Sequence, residues 1–406
     1  MKKILVLGGA KAQVKLIAAA KKEGYCVVLC DFTDTNPGIA MCDVHYKVNY
    51  MNFDEVLDIA KKEKVDGVVS NSEYAMPTVS YVCDALHCTG NSSKSLSLLN
   101  DKYNFRKLQK SLDLYAPNSF ESSQWEECFD KIQELKFPVV IKPAQSSGSR
   151  GTTVINDIDE FRNAKQYWDA CSKFSRNNKV VVEEFVKPHD LDAFIGGDIF
   201  VIGEAIFYCG LFSSKRSKWR PLIPMTQTYP IIIDKQHFER LKDEVDKIIK
   251  QAGITFGELN IEGYFTNDDN LFFIEFNARQ GGNGIPEVIL RHSGVDFTKL
   301  LVTSAVGDMY YFEKIMHEKI DCRFVSRHPL FWTGDKYSGC YKGVGCSDEI
   351  KPFIAEISEI EDKNMLIHPA QNASDCLAFI DLEFTSREQQ IEFVSDIESH
   401  IWPIVE

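Results

Sequence analysis

Phe272-Phe273-Ile274-Glu275-Phe276-Asn277-Ala278-Arg279 is an apolar stretch broken at alternate positions by a carboxylate, a carboxamide and a guanidinium. Side chains of a strand alternate between faces, so Glu275 and Asn277 project together, with Phe273 on their side. Residues 257–265 have the same strand character, and Asn267-Asp268-Asp269-Asn270 supplies turn chemistry between the two. A hairpin is expected, with Glu262 near Glu275 and Asn277. Burying two acids on an apolar ribbon without a cation is costly. Two carboxylates and an amide oxygen are hard donors suited to Mg²⁺ bridged by phosphate oxygens. Phe273 is read as the floor under an aromatic ring. Arg279, ahead of Gly281-Gly282, offers a planar fork to phosphate or carboxylate oxygens.

Working upstream, Phe137-Pro138-Val139-Val140-Ile141-Lys142-Pro143 places Lys142 at the end of an apolar strand. Gln145-Ser146-Ser147-Gly148-Ser149-Arg150-Gly151 follows, a loop whose free amides could hold a polyphosphate beside the ammonium. The spacing does not fit GxxxxGK[ST]. Val180-Val181-Val182-Glu183-Glu184-Phe185-Val186 is read as a connector whose backbone and Glu183 face the amino edge of an adenine; the alternative is an edge strand with exposed acids.

Residues 1–90 alternate short apolar runs with helical periodicity, the pattern of a parallel sheet covered on both faces. Gly8-Gly9 followed by a helix, with Asp31 after the second run, invites a dinucleotide reading, but GxGxxG would need glycine where Ala10 and Gln13 stand. A tight turn admitting a carboxylate or backbone is the better reading. Glu73 lies beyond a strand end, where open α/β sheets bind ligands, and is a candidate to meet an amine. Helices are expected over 101–112, 125–135 and 239–252, the last closed by Gly253. The C-terminus reads as a strand over 378–384 and a helix from Ser386 that buries Ile391, Val394, Ile397 and Ile401.

With 46 basic and 59 acidic residues among 406, the net charge of −13 disfavours phosphate backbones and anionic lipid. No run approaches the roughly 18 apolar residues of a membrane span. Twelve cysteines without a CxxC pair read as reduced thiols of a cytoplasmic protein. Against this acidity, Ser213-Ser214-Lys215-Arg216-Ser217-Lys218-Trp219-Arg220 stands out as basic, either a solvated loop or a grip for an anionic substrate.

The ordered set Lys102, Lys142 with its glycine loop, Glu183-Glu184-Phe185-Val186 and Glu262…Glu275-x-Asn277-x-Arg279 resembles the ATP-grasp superfamily. It is similar to D-alanine–D-alanine ligase, biotin carboxylase, carbamoyl phosphate synthetase and L-amino acid ligases. The resemblance implies an α/β chain: a Rossmann-like parallel domain over 1–99, a connecting helix over 100–116, and a small lid subdomain over 117–186. A large subdomain with the Mg-ATP site follows over 187–310, then a C-terminal α+β extension over 311–406. By the same resemblance, Lys102 and Lys142 contact ATP phosphates, Ser147, Gly148 and Ser149 belong to the lid loop, and Glu183, Phe185 and Val186 form the adenine hinge. Pro188-His189-Asp190 stands where the family carries Gly-x-Glu, which makes Asp190 the ribose candidate and Asp192 its alternative. Glu262, Glu275 and Asn277 match the magnesium ligands, with Mn²⁺ as a substitute ion. Arg279, with Lys142, matches the catalytic groups around an acyl phosphate.

The implied activity is an ADP-forming ligation of a small carboxylate, an amino acid for preference, to an amine. Glu73, Lys215, Arg216, Arg220 and Arg279 are the substrate candidates. Bicarbonate activation is the closest alternative, and an inactive ATP-binding protein the next. Small molecules are the expected partners, without nucleic acid or membrane; a homodimer is left open.

Overall fold

The computed structural model describes residues 1–146, 150–190, 194–217, 223–334 and 339–406. The first apolar runs form buried strands β1 (Lys3–Leu7) and β2 (Cys26–Asp31), joined by β3 (Val44–Lys47) and β4 (Gly67–Val69). All pairings are parallel, in the order β3-β2-β1-β4. Continuous apolarity has a plain cause: Ile4 and Val6 pack with Leu16 and Ile17 of helix Val14–Lys22, while Leu5 and Leu7 pack with helices on the opposite face. At the glycine turn, Gly8 takes φ +92° and the Gly9 amide donates to Asp31 Oδ2 at 2.7 Å. The Gly38 amide donates to the Gly9 carbonyl at 2.8 Å. The turn therefore admits a carboxylate and a backbone of its own chain, and Asp31 is occupied in holding it.

A second, antiparallel sheet has the order β5-β8-β6-β7, from β5 (Ser119–Ser122), β6 (Val139–Pro143), β7 (Thr153–Ile155) and β8 (Val180–Glu184). The helix expected over 125–135 is reduced to Cys128–Lys131 and a 3₁₀ turn over Ile132–Glu134. Trp125 is drawn instead into the core beside Phe161, ring centroids 5.0 Å apart, and Trp168.

The third sheet carries the late hairpin. It is built from β9 (Phe194–Ile202), β10 (Ala205–Arg216), β11 (Pro224–Tyr229), β12 (Phe256–Phe265), β13 (Leu271–Asn277) and β14 (Phe324–Leu330). Further along the chain come β15 (Gly339–Cys346), β16 (Ile354–Glu359), β17 (Leu366–Ile367), β18 (Ala378–Phe384) and β19 (Ile401–Val405). The order β13-β12-β9-β10-β11-β14-β18-β16 makes one antiparallel sheet, so the C-terminal segment extends this sheet; β17-β15-β19 forms a small separate one. Helix Lys235–Ala252 is capped by Asp234 and ends at Gly253, φ +70°.

The C-terminal helix corrects the sequence reading. It covers Arg387–Ser395, with Ser386 as its cap, and Ile401 opens strand β19. Ile391 is exposed, because Gln390 faces inward and donates to the carbonyls of Tyr229 and Val325 and to Ser326 Oγ. These three hydrogen bonds keep Gln390, not Ile391, on the inner face of the helix. Among the described residues no helix is long and apolar enough to cross a membrane.

Candidate active site

In the hairpin, Glu262 lies directly opposite Glu275 and Asn260 opposite Asn277. The register then slips: Gly263 pairs with Phe273, leaving Ile274 as an extra residue, a β-bulge. One inserted residue reverses the alternation. Glu275 and Asn277 face the cleft, whereas Phe273 is fully buried among core side chains that include Phe105 and Phe276. Phe273 is therefore a core residue and not the floor of a ring site. The apolar patch near the acids is made by Val186, Phe194, Tyr264, Phe272 and Ile274.

Cations converge on these acids from two elements. Asp101 caps helix Lys102–Ser111, accepting from the Tyr103 and Asn104 amides, and so fixes Lys102 at the helix start. Lys102 Nζ lies 3.1 Å from Glu275 Oε2 and donates to the Ser146 carbonyl at 3.0 Å, joining lid loop to hairpin. Arg216 Nη2 lies 3.2 Å from Glu262 Oε2, its guanidinium 4.4 Å from the centre of the Phe194 ring. Asn277 Nδ2 donates to Glu275 Oε1 at 2.9 Å. Burial opposes the charge of Glu275, but Lys102 and the Asn277 amide outweigh it and bring its carboxyl down to about 2. Glu262 is pushed the other way, by burial and by the charge of Glu275, in spite of Arg216. Two facing acids of unequal basicity plus an amide are a donor set that fits a divalent cation. Among the described residues no group of three or more His, Cys, Asp or Glu is placed to hold a metal; the third oxygen donor beside the two acids is the Asn277 amide.

The second cationic group is buried. Lys142 pairs with Glu183 Oε1, and Arg106 Nε lies 3.0 Å from Glu183 Oε2. Burial pushes Lys142 down to about 8 against the attraction of Glu183. Burial opposes Glu183 as well, but Arg106 and Lys142 hold its carboxyl at about 2. The Glu183 carboxylate is thus locked between two cations and is not turned to an adenine edge, a correction to the sequence reading. Beyond it the Phe185 amide donates to the Pro138 carbonyl at 2.8 Å, and the Val186 carbonyl accepts from Tyr264 Oη at 2.6 Å. Asp190 is exposed, next to His189, whose amide donates to the Phe265 carbonyl at 3.1 Å.

Glu73 reaches this region from the first domain. Its Oε1 accepts from Arg176 Nη2 at 3.0 Å, and its Oε2 lies 3.7 Å from Arg279 Nη2. The acid read from the sequence as a candidate to meet an amine is faced in the structure by two guanidinium groups. Lys215 is half-buried beside Arg216 on β10. Ser147, Gly148, Ser149, Asp192 and Arg220 lie outside the described residues. Sequence reasoning missed Arg106, Arg176 and the buried pair Asp198 and Glu258. Only Arg106 had a signal, its i+4 spacing from Lys102, which places both on one helix face.

A parallel α/β domain, a lid sheet bearing a buried lysine, and a large antiparallel sheet bearing paired acids together make the ATP-grasp fold. Residues 101–307 match the family described as carbamoyl-phosphate synthase L chain, ATP binding domain, and residues 4–85 match PylC-like, N-terminal domain. The chain belongs to the first of these families. The carbamoyl phosphate synthase large chain of Vibrio cholerae is 23% identical over 331 residues, covering 75% of this chain and 29% of that protein. An uncharacterized protein, y4rH, of Sinorhizobium fredii is 26% identical over 274 residues, covering 66% of this chain and 55% of its own. The chain thus spans about half the length of one such relative and under a third of the other. Among solved structures, L-amino acid ligase from Bacillus licheniformis superposes with a TM-score of 0.78 at 18% identity, covering 100% of this chain and 99% of that one. Phosphoribosylglycinamide synthetase from Anaerococcus prevotii gives 0.73 at 20%, covering 100% of both chains. Such distant likenesses define the fold.

Proposed function

We propose that this chain is an ADP-forming ligase that activates a small carboxylate, preferentially an amino acid, as an acyl phosphate and passes the acyl group to an amine. The observation that carries the reading is the convergence of Lys102 on Glu275 and Arg216 on Glu262, with Arg279 acting on both facing acids and Lys142, paired with Glu183, close enough to Lys102 to feel its charge. Glu262, Glu275 and Asn277 would hold Mg²⁺, or Mn²⁺ in its place, which supplies charge neutralisation to the nucleotide phosphates. Lys102, Lys142 and the loop over 146–151 grip those phosphates, with Phe185, Val186 and Asp190 toward the nucleoside.

In the first step a carboxylate oxygen attacks the γ-phosphorus and the bond to the β-phosphate oxygen breaks, releasing ADP. In the second the amine nitrogen attacks the acyl carbon, the carbon–oxygen bond to phosphate breaks, and the amine loses a proton. Arg279 stabilises the charge on the transferring group, and positioning does most of the work. Twelve free thiols suit a reducing compartment, and we assign the cytoplasm. Family membership favours one second reading, in which bicarbonate is the carboxylate. The test is an ADP-release screen of the amino acids singly and in pairs, beside dicarboxylates and bicarbonate. Release that needs both an acid and an amine supports the ligase; bicarbonate alone supports the second reading; AMP and pyrophosphate as products would overturn both.

A further inference from the structure

Arg106 is among the largest fully buried side chains of the molecule, and nothing in the reaction above uses it. Its guanidinium makes five contacts to three elements. Nε and Nη2 hold the two oxygens of Glu183 at 3.0 and 3.4 Å. Nη1 donates to Gln109 Oε1 at 2.7 Å and to the Phe273 carbonyl at 2.9 Å, and Nη2 to the Ile274 carbonyl at 2.9 Å. Phe273 and Ile274 are the two residues at the bulge that turns Glu275 and Asn277 toward the cleft. A bulge leaves strand carbonyls without their ladder partners, and a buried carbonyl left unmatched is costly. Four residues earlier on the same helix, Lys102 meets Glu275 itself.

We propose that Arg106 is a positioning residue that couples the nucleotide-gripping lysine to the metal-holding acids. On one side it fixes Glu183, so that Lys142 stands at a set place. On the other it secures the bulge, so that Glu275 stays opposite Glu262. A planar fork is required, because a point charge cannot serve a carboxylate and two carbonyls together. This inference rests on the ATP-ligase reading.

Two variants test it, Arg106→Lys and the double variant Arg106→Gln with Glu183→Gln, which removes both members of the buried pair and leaves Lys142 without its carboxylate. For each, affinity for a non-hydrolysable ATP analogue without metal, the half-saturating Mg²⁺ concentration, and amide hydrogen exchange over 272–277 are measured on the whole chain. Arg106→Lys keeps a cation on Glu183 but loses the bulge. The Mg²⁺ requirement rises about tenfold, exchange at the bulge quickens, and metal-free nucleotide affinity stays within about twofold. In the double variant both affinities fall about tenfold. Unchanged metal requirement and exchange in Arg106→Lys, or loss of the folded baseline in both variants, would overturn the proposal and make Arg106 a structural residue. A wild-type chain that binds no nucleotide would instead fail the ligase reading, and this coupling with it.

Discussion

Glu258, Asn260 and Glu262 stand on one face of a single strand, two residues apart each time, yet the two acids live in opposite surroundings. Glu262 looks across at Glu275, which Lys102 meets, and has Arg216 and Arg279 about it. Among the described residues no cation pairs with Glu258: its two oxygens accept from Gln280 Nε2 at 2.9 and 3.2 Å, and the charges that act on it are acids, Asp198 foremost. Burial, and then the charge of Asp198, push Glu258 well above the usual carboxylate range. Asp198 is itself pushed up to about 6 by burial, while it accepts from the Gly281 amide at 2.7 Å and from Asn260 at 2.8 Å. One pair of acids, the one proposed to hold a metal, is faced by cations. The other is pushed toward its protonated form by burial, against the amides that donate to it, and it clamps Gln280 and Gly281, the residues that follow Arg279. On the proposed reading the neighbouring cations distinguish the metal-holding acid from the structural one, since residue type and strand face are the same.

The largest test of this contrast is Glu275→Ala. Removing the acid that Lys102 keeps ionised should lower magnesium-dependent ADP release by about 10³-fold or more with an unchanged circular dichroism spectrum. Full turnover in that variant would refute the metal assignment. Next comes the basic limb of the pH profile. Lys142 is pushed down to about 8, so its ammonium is lost as pH rises through that value. kcat/KM for MgATP should fall up to tenfold per unit above about pH 8, and a profile flat to pH 10 would free the lysine from this role.

The two glutamates can then be set against each other by the same conservative change. Glu262→Gln should raise the half-saturating Mg²⁺ concentration about tenfold. Glu258→Gln should leave it unmoved and stabilise the fold at pH 7 in a denaturant titration, because the native carboxyl must take up a proton that the unfolded chain has released and the amide need not. Equal effects would erase the distinction. The smallest expected effect concerns Asp198. Its native carboxyl keeps a proton up to about pH 6, whereas the unfolded chain releases one near 4, so the native state binds more protons in that window. Relative to Asp198→Asn, the wild type should therefore lose stability as pH rises from about 4 through 6. A constant gap between their melting curves across that range would contradict the assignment.

Much of the fold was legible because it rests on local period and turn chemistry. The hairpin, the parallel first sheet, the Gly253 stop and the facing of Glu262 with Glu275 all follow from alternation, apolar runs and Asn/Asp turns. Readings that depended on carrying a period through an irregularity failed. Ile274 shifts the phase and sends Phe273 to the core, and Gln390 turns the last helix away from Ile391.

The amino-acid sequence by itself determined which groups are present and in what order: two lysines, a glycine loop, two acids and an amide on one ribbon, an arginine after it. Bond geometry and side-chain alternation act within a few residues, so these are written locally. Only the tertiary structure decided which charge each group meets. Glu183 meets Arg106 from 77 residues away, and Glu73 meets Arg279 across domains. Such pairings arise when sheets close and water leaves, and the energy of a buried charge is set by whichever neighbours that closure brings within reach.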